Sequence, residues 1–283
     1  MGSKFQMPLN LKLLFLFLMI LFFFYLLLNA SSFQFRQGNI TSSGTEDGGA
    51  SANSCSKIPP SLADAVVHYA TSKITPQQTI DEISVTAEVL RQRSPCNFLV
   101  FGLGHDSLMW SALNHGGRTV FLEEDEKWIE TVRRSLPATV EVQLVVYDTQ
   151  VSEARQLLEL RRQRLCTAVG DPRLSKCPRL ALRELPAVVY EVEWDVIMVD
   201  APTGYHARAP GRMSAIYTAG MAARWREKGE TDVMVHDVDR SVEDEFSKAF
   251  LCQGYMKRQA GRLRHFTIPS QRPNDGVDVP FCP

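Results

Sequence analysis

The sequence predicts an α/β domain whose sheet is mostly parallel and ends in an antiparallel edge hairpin. Three observations carry this reading. Short apolar runs alternate with helical stretches from Asn97 to Leu251. The first run, Asn97–Phe101, leads into a glycine turn, Gly102-Leu103-Gly104, and then a short helix. After the last helix two strands follow with no helix between them, so they pair as a hairpin.

The elements follow in order. Ser61–Ser72 and Pro76–Gln92 read as helices, the second with Thr75 as N-cap, Pro76 at its first position and Gln78 completing a capping box. Both precede the first strand and are expected to cover one side of a ligand cleft. Asn97–Phe101 is a strand, Ser107–Leu113 a helix and Thr119–Leu122 a second strand. Glu126–Ser135 is helical, Val140–Tyr147 a strand, and Val151–Arg164 a helix carrying Leu157, Leu158 and Leu160. A cysteine loop and an apolar stretch at Leu180–Leu185 precede the strand Asp195–Val199. Ala201–Arg212 is a long loop, Met213–Arg224 a helix, Asp232–Val235 a strand and Val242–Leu251 a helix. The closing strands lie near Gly254–Lys257 and Leu263–Ile268.

The chain of 283 residues divides into four expected segments. Residues 1–12 form a short tail and residues 13–30 a signal-anchor helix. Leu13–Leu28 is an unbroken apolar run, and no charge appears until Arg36. At 1.5 Å per residue, the charge-free stretch is long enough for a thin bilayer of roughly 27 Å. Lys4 and Lys12 before it keep the N-terminus cytosolic. A signal peptide cleaved near Ala30-Ser31-Ser32 is the rival reading, but the run exceeds the usual signal core. Gln6 excludes a myristoylation signal. Residues 31–54 read as a flexible, Ser- and Gly-rich luminal stem with a glycosylation sequon at Asn39. Residues 55–283 are one folded domain.

A net charge of −1 carries no nucleic-acid signature. Six cysteines on the luminal side permit up to three disulfides. Cys166 and Cys177 bracket a Gly/Pro loop and are the one pair expected. No C-x-x-C spacing points to zinc.

Ligands in open α/β sheets bind at the carboxyl ends of the strands. There the chain places Gly102, Gly104, His105 and Asp106, then Glu123, Glu124 and Asp125, then Asp148. Asp200, Thr203, Tyr205 and His206 follow the fourth strand, and His236, Asp237, Asp239 and Arg240 the fifth. The two glycines let backbone approach a ligand closely, and the following helix offers it N–H groups. Glu123, 19 residues past Gly104, is placed to accept both hydroxyls of a ribose. Ser107 stands where a dinucleotide fingerprint wants its third glycine. That departure disfavours NAD and suits a cofactor without a pyrophosphate, such as S-adenosylmethionine. The edge hairpin points the same way, being typical of class I methyltransferases with their Rossmann-like sheet. Gly102, Gly104, His105, Asp106, Glu123, Asp148 and Asp200 are thus the candidate cofactor residues.

The stretches Cys96–Trp110, Phe121–Glu126, Val199–His206, Ala209–Gly220, His236–Val238 and Gly261–Ser270 resemble a plant family of polysaccharide glucuronic acid O-methyltransferases, the glucuronoxylan 4-O-methyltransferases. The likeness runs from about Cys55 to Cys282. It implies a single-pass type II Golgi membrane protein with a luminal catalytic domain. Such an enzyme would use S-adenosylmethionine to methylate O4 of glucuronic acid on glucuronoxylan, with xylan-synthesis proteins as partners. Relatives in the family act on arabinogalactan, or support xylan deposition without a clear methyltransferase activity. The latter differ at the glycine turn, which is intact here.

A sugar hydroxyl is a poor nucleophile, so a base or a metal is expected. His236 is the first candidate base, oriented by Asp237 or Asp200. The second arrangement has Asp200 and Asp237, with His236, ligating a divalent cation. Arg212 is the candidate partner for the substrate carboxylate, with Arg240, Arg262 and Arg264 behind it. Tyr205, His206 and Tyr217 are candidates for contact with sugar rings, with buried packing an equal alternative for the two tyrosines. Two other classes remain open at this point: a non-catalytic scaffold for wall synthesis, and a nicotinamide oxidoreductase.

Overall fold

The computed structural model describes residues 58–134, 136–137, 140–272 and 280–283. The expected tail, anchor and stem, with Asn39 and Cys55, lie outside the described residues. Among the described residues no helix is long and apolar enough to cross a membrane.

A seven-stranded sheet runs in the order β3-β2-β1-β4-β5-β7-β6. Its strands are β1 (Asn97–Phe101), β2 (Arg118–Glu123), β3 (Glu141–Leu144), β4 (Val196–Val199), β5 (Glu230–Val235), β6 (Met256–Ala260) and β7 (Leu263–Pro269). Strands β1 to β5 are parallel. Strand β7 is antiparallel to both β5 and β6, so the expected edge hairpin is present.

The sheet is buried on both faces, which is why β1 and β4 are continuous apolar runs. Phe98, Val100, Val196 and Met198 face one side, where α2 (Ile80–Arg93), α3 (Ser107–Leu113) and α4 (Glu126–Arg133) supply Leu90, Trp110 and Ile129. Leu99, Phe101, Ile197 and Val199 face the other. There α8 (Met213–Trp225) and α9 (Ser241–Phe246) contribute Ile216, Tyr217 and Phe246. Helix α1 (Pro60–Thr71) packs on α3.

Several expectations are corrected. Helix α2 begins at Ile80, with Thr79 rather than Thr75 as its N-cap. The Thr79 hydroxyl accepts from Glu82 N–H, and the Glu82 carboxylate accepts from Thr79 N–H at 2.7 Å. Pro76–Gln78 therefore stays outside the helix and reaches the sheet end. The expected helix Val151–Arg164 is broken into a 3₁₀ turn, α5 (Ala154–Leu158), a second 3₁₀ turn and α6 (Arg164–Thr167). Extended Gln163 separates the last two pieces, and the bends let Leu157, Leu160 and Cys166 all reach the core. A short helix, α7 (Ala187–Glu191), was not expected. Helix α9 continues into a π-helical turn, Ser247–Cys252.

Cys166 and Cys177 form the expected disulfide, and Cys252–Cys282 is a second. Cys96 is a buried free thiol. Beside the second bridge lies Arg224, fully buried, with no carboxylate in reach among the described residues. Its guanidinium donates to the carbonyls of Gly220 (2.8 Å), Phe250 (3.0 Å) and Phe281 (3.2 Å) and stacks 3.9 Å from the Phe281 ring centre. Burial without a counter-ion lowers its pKa to about 9. Arg224→Met removes the guanidinium donors to these carbonyls and leaves that of Phe281 without them, so a loss of about 3 kcal/mol is expected in chemical denaturation.

Candidate active site

The sheet order reverses between β1 and β4, and a cleft of about 950 Å³ opens at their carboxyl ends. Gly102 leaves β1 at φ +124°, and a Cβ there would lie 3.3 Å from the Ala201 Cβ after β4. The glycine thus serves both the left-handed turn and the close approach of two strand ends. Ser107 fills the third-glycine position for a reason of its own: its buried hydroxyl accepts from Gly104 N–H at 2.9 Å. The helix start is less open than expected. Ser107 N–H bonds to the Gly104 carbonyl, and Met109 N–H donates to the Tyr69 hydroxyl of α1 at 3.2 Å.

Glu123 lines the cleft, but its carboxylate already organises the turn. It accepts from Leu103 N–H (3.0 Å), Glu124 N–H (2.8 Å) and Asp125 N–H (3.0 Å). Burial nevertheless raises its pKa. Contact with a ribose would use the lone pairs that remain. Glu124 holds the opposite wall by accepting from Thr203 N–H at 2.9 Å. His105 lines the cleft, packed edge-on against Trp128. Asp148 does not reach it: the side chain is exposed and lies 3.9 Å from Arg179.

Asp106 lines the cleft and accepts from the Trp110 indole N–H at 2.9 Å. Burial, with repulsion from Asp200, pushes its carboxyl up to about 6. A raised carboxyl favours the folded state while protonated, and this advantage is lost as pH climbs from about 4 through 6. Asp106→Asn keeps an acceptor for Trp110. It is expected to raise the thermal midpoint at pH 7, with the gain vanishing at pH 4.

At the ends of β4 and β5 lies a buried charge network. The Asp200 carboxylate contacts His236 Nδ1 (2.9 Å), the Arg212 guanidinium (3.2 Å) and the Gln78 amide N–H (3.0 Å). Asp237, at φ +61°, pairs with Arg212 (2.8 Å), Arg240 (3.0 Å) and Arg262 (2.8 Å). Burial opposes ionisation of Asp200, but the charge of Arg212 and the His236 and Gln78 bonds hold its carboxyl down to about 2. Burial likewise opposes protonation of His236, yet the bond to Asp200 and the surrounding carboxylates raise its pKa.

This geometry corrects three assignments. His236 is 2% exposed and does not line the cleft; its Nε2 faces Glu82 at 3.5 Å. Asp200 is the cleft-facing group and His236 stands behind it, the reverse of the expected order. Arg212 lines the cleft but is 5% exposed and committed to two carboxylates and the carbonyls of Pro202 and His236. It is an organiser of the site, not a free cation. The Asp200, His236 and Asp237 trio has ligand atoms within 4.8 Å of one another. Every carboxylate oxygen in it already meets a donor, and three guanidinium groups compensate its charge. As arranged, this donor set does not fit a resident divalent ion.

Arg240 and exposed Tyr205 line the cleft as expected. His206 stacks edge-on against Tyr205 outside it. Tyr217 is a core residue instead, 2% exposed, its hydroxyl 2.9 Å from that of Ser175 and its ring against Phe250. Arg264 is buried on Asp244, Ser247 and Gln259. Three participants escaped the sequence reading. Gln78 and Glu82 arrive from the α2 region. Glu243, fully buried, has neither carboxylate oxygen hydrogen-bonded and is raised in pKa by burial. A Cβ on the cleft residue Gly204 would lie 2.8 Å from Glu243 Oε1. Only a signal pairing residues far apart in the chain could have found them.

The family model described as IRX15/IRX15L/GXM matches residues 81–266, which run from α2 into β7 and include every member of this network except Gln78. The chain is similar to Glucuronoxylan 4-O-methyltransferase 2 of Arabidopsis thaliana, 67% identical over 230 residues, covering 81% of this chain and 78% of that one. It is 63% identical over 238 residues to Glucuronoxylan 4-O-methyltransferase 3 of the same plant, covering 84% and 79%. To its Arabinogalactan O-methyltransferase 2 the identity is 50% over 216 residues, covering 75% and 74%.

Proposed function

The chain belongs to the IRX15/IRX15L/GXM family, and from that premise we propose that it methylates O4 of glucuronic acid side chains on glucuronoxylan, with S-adenosylmethionine as donor. The observation that carries the reading is 67% identity to a protein bearing that activity in its name, against 50% to one named for arabinogalactan. The cleft suits the donor. A glycine cradle leaves room for backbone contact, and Asp106, Glu123 and Glu124 complement a ligand bearing sulfonium and ammonium charges. The intact glycine turn also speaks against a non-catalytic scaffold, and Ser107 against a nicotinamide oxidoreductase.

When bound, S-adenosylmethionine supplies an electrophilic methyl group on a cationic sulfur. The residues around it must hold the acceptor oxygen in line at about 3 Å and receive its proton. Asp200, the carboxylate of the buried network most open to the cleft, is the group for that task. A carboxyl held near 2 is too weak a base to ionise a free sugar hydroxyl. It suffices once C–O bond formation has made that proton strongly acidic. Arg212, His236 and Gln78 fix Asp200 from behind. Arg240, at the cleft wall, is placed to exchange Asp237 for the uronate carboxylate.

The test is transfer of label from S-adenosylmethionine to unmethylated glucuronoxylan and to arabinogalactan by the purified protein, with the product linkage read by NMR. Label at O4 of xylan-borne glucuronate supports the reading; label on arabinogalactan alone, or on neither, overturns it. For location, we propose a type II Golgi membrane protein anchored by residues 13–30. The apolar run Leu13–Leu28 supports this, as do two disulfides, which persist in an oxidising lumen. Protease protection of the domain in sealed Golgi vesicles checks it.

A further inference from the structure

The two sides of the cleft differ in charge. The glycine-turn half carries Asp106, Glu123, Glu124, Asp125 and Glu126 against Lys127 alone. The Ala201–Arg212 loop crosses from that half to a basic region. At one end Thr203 N–H bonds to the Glu124 carboxylate. At the other, Val151 N–H donates to the Ala209 carbonyl and Ser152 N–H to that of Ala207, both at 2.9 Å. The Thr149 hydroxyl donates to the Pro210 carbonyl at 2.9 Å. From Val151 to Leu185 the chain carries eight Lys and Arg against four Asp and Glu, in a protein of net charge −1.

Arg208 lies between the two loop residues bonded to Val151 and Ser152, and Arg155 is one helical turn beyond Ser152. Both are exposed, and neither has a counter-ion among the described residues. Three residues before Arg208, at most about 10 Å along the chain, Tyr205 is 76% exposed at the cleft wall. An aromatic ring at the mouth and two unpaired guanidinium groups beyond it form a strip leading away from the acidic half.

We propose that Tyr205, Arg208 and Arg155 form an outer subsite for a carboxylated polysaccharide chain, holding uronates beyond the one in the cleft. This deepens the proposed function and rests on it for the identity of the polymer. The physical logic is separation of opposite charges: the cationic donor is drawn to the acidic half, while the polyanionic acceptor is repelled from it and held on the basic flank. Guanidinium forks match uronate carboxylates, and the exposed ring offers a face to a pyranose.

The experiment compares wild type with R155Q/R208Q on polymeric glucuronoxylan and on a short xylo-oligosaccharide bearing one glucuronate. The expected result is a KM for the polymer raised about fivefold at low salt, unchanged kcat, and unchanged kinetics on the oligosaccharide. The difference should close as salt is added. Equal KM values on the polymer, or an equal loss on both substrates, would overturn the subsite. Retention on immobilised glucuronoxylan, with neutral arabinoxylan as control, reads the surface independently of turnover. The double variant should elute at lower salt than wild type; co-elution sinks the proposal. If wild type methylates neither substrate, the assigned reaction fails, while the retention measurement still decides the surface.

Discussion

Asp200→Asn is expected to lower methyl transfer to glucuronoxylan by about 100-fold or more, with a folded protein remaining. Asp200 is the carboxylate of the β4–β5 network most open to the cleft, 24% exposed against 6% for Asp237, and its three neighbours all present donors. An amide must turn its NH₂ toward one of them. Gln78 can absorb that change, because its Oε1 is buried without a partner and its amide can turn to accept. The hydrogen bonds are therefore largely replaced, and what is lost is the charge opposite Arg212 and His236. A stability cost of about 2 kcal/mol at neutral pH follows. The pH dependence identifies its origin. The Asp200 carboxyl sits at about 2 in the folded protein, below its usual value of about 4. A lowered carboxyl contributes stability that is complete above about pH 4 and is lost as pH falls through about 2. The gap between wild type and variant in thermal unfolding should narrow over that window. A gap constant from pH 7 to 2, or activity within tenfold of wild type, would contradict the role assigned to this carboxylate.

Gly102→Ala should abolish measurable S-adenosylmethionine binding in calorimetry, a loss of at least about 100-fold. Two effects combine there. The φ of +124° strains any L side chain, and the new methyl meets Ala201 Cβ at 3.3 Å, prising apart the strand ends that frame the cleft. The first effect alone costs about 1–3 kcal/mol. Gly229→Ala isolates it, because Gly229 also lies at positive φ (+84°), but its added methyl would meet only the Arg226 side chain at 3.7 Å. Gly102→Ala should lose more thermal stability than Gly229→Ala, which carries the backbone strain alone, and only Gly229→Ala should keep full donor affinity. Equal affinity in both would show that the turn is structural and not a cradle.

The parts of this fold legible in the sequence were those set by local periodicity. Asn97–Phe101 and Asp195–Val199 read as strands from their apolar runs, which both sheet faces bury. The edge hairpin read correctly because no crossover helix separates its strands. The start of α2 did not, because Thr75 and Thr79 both open a capping-box pattern, and the glutamate at the second is the stronger acceptor. In the site, the strand-end positions of Asp200, His236 and Asp237 were readable. That Asp200 and Asp237 line the cleft while His236 stands behind them was not, since that depends on Gln78 and Glu82 arriving from more than a hundred residues away. Arg212 misled for the same reason: a loop arginine gives no sign that two carboxylates already claim it. For Tyr217 the sequence leaves sugar contact and buried packing equally open, and the helix carrying it, buried almost throughout, decides for packing.

The Cys252–Cys282 bridge has a practical consequence. It closes a span of 30 residues, a constraint worth about 3–4 kcal/mol, and it secures Phe281, whose carbonyl and ring complete the surroundings of the buried Arg224. Phe281 and Cys282 are thus a keystone for the rear of the domain. Recombinant protein made in a reducing cytosol, or trimmed before Phe281 to ease crystallisation, should emerge with a loosened rear face and aggregate on warming, whereas secretion from a eukaryotic host should not.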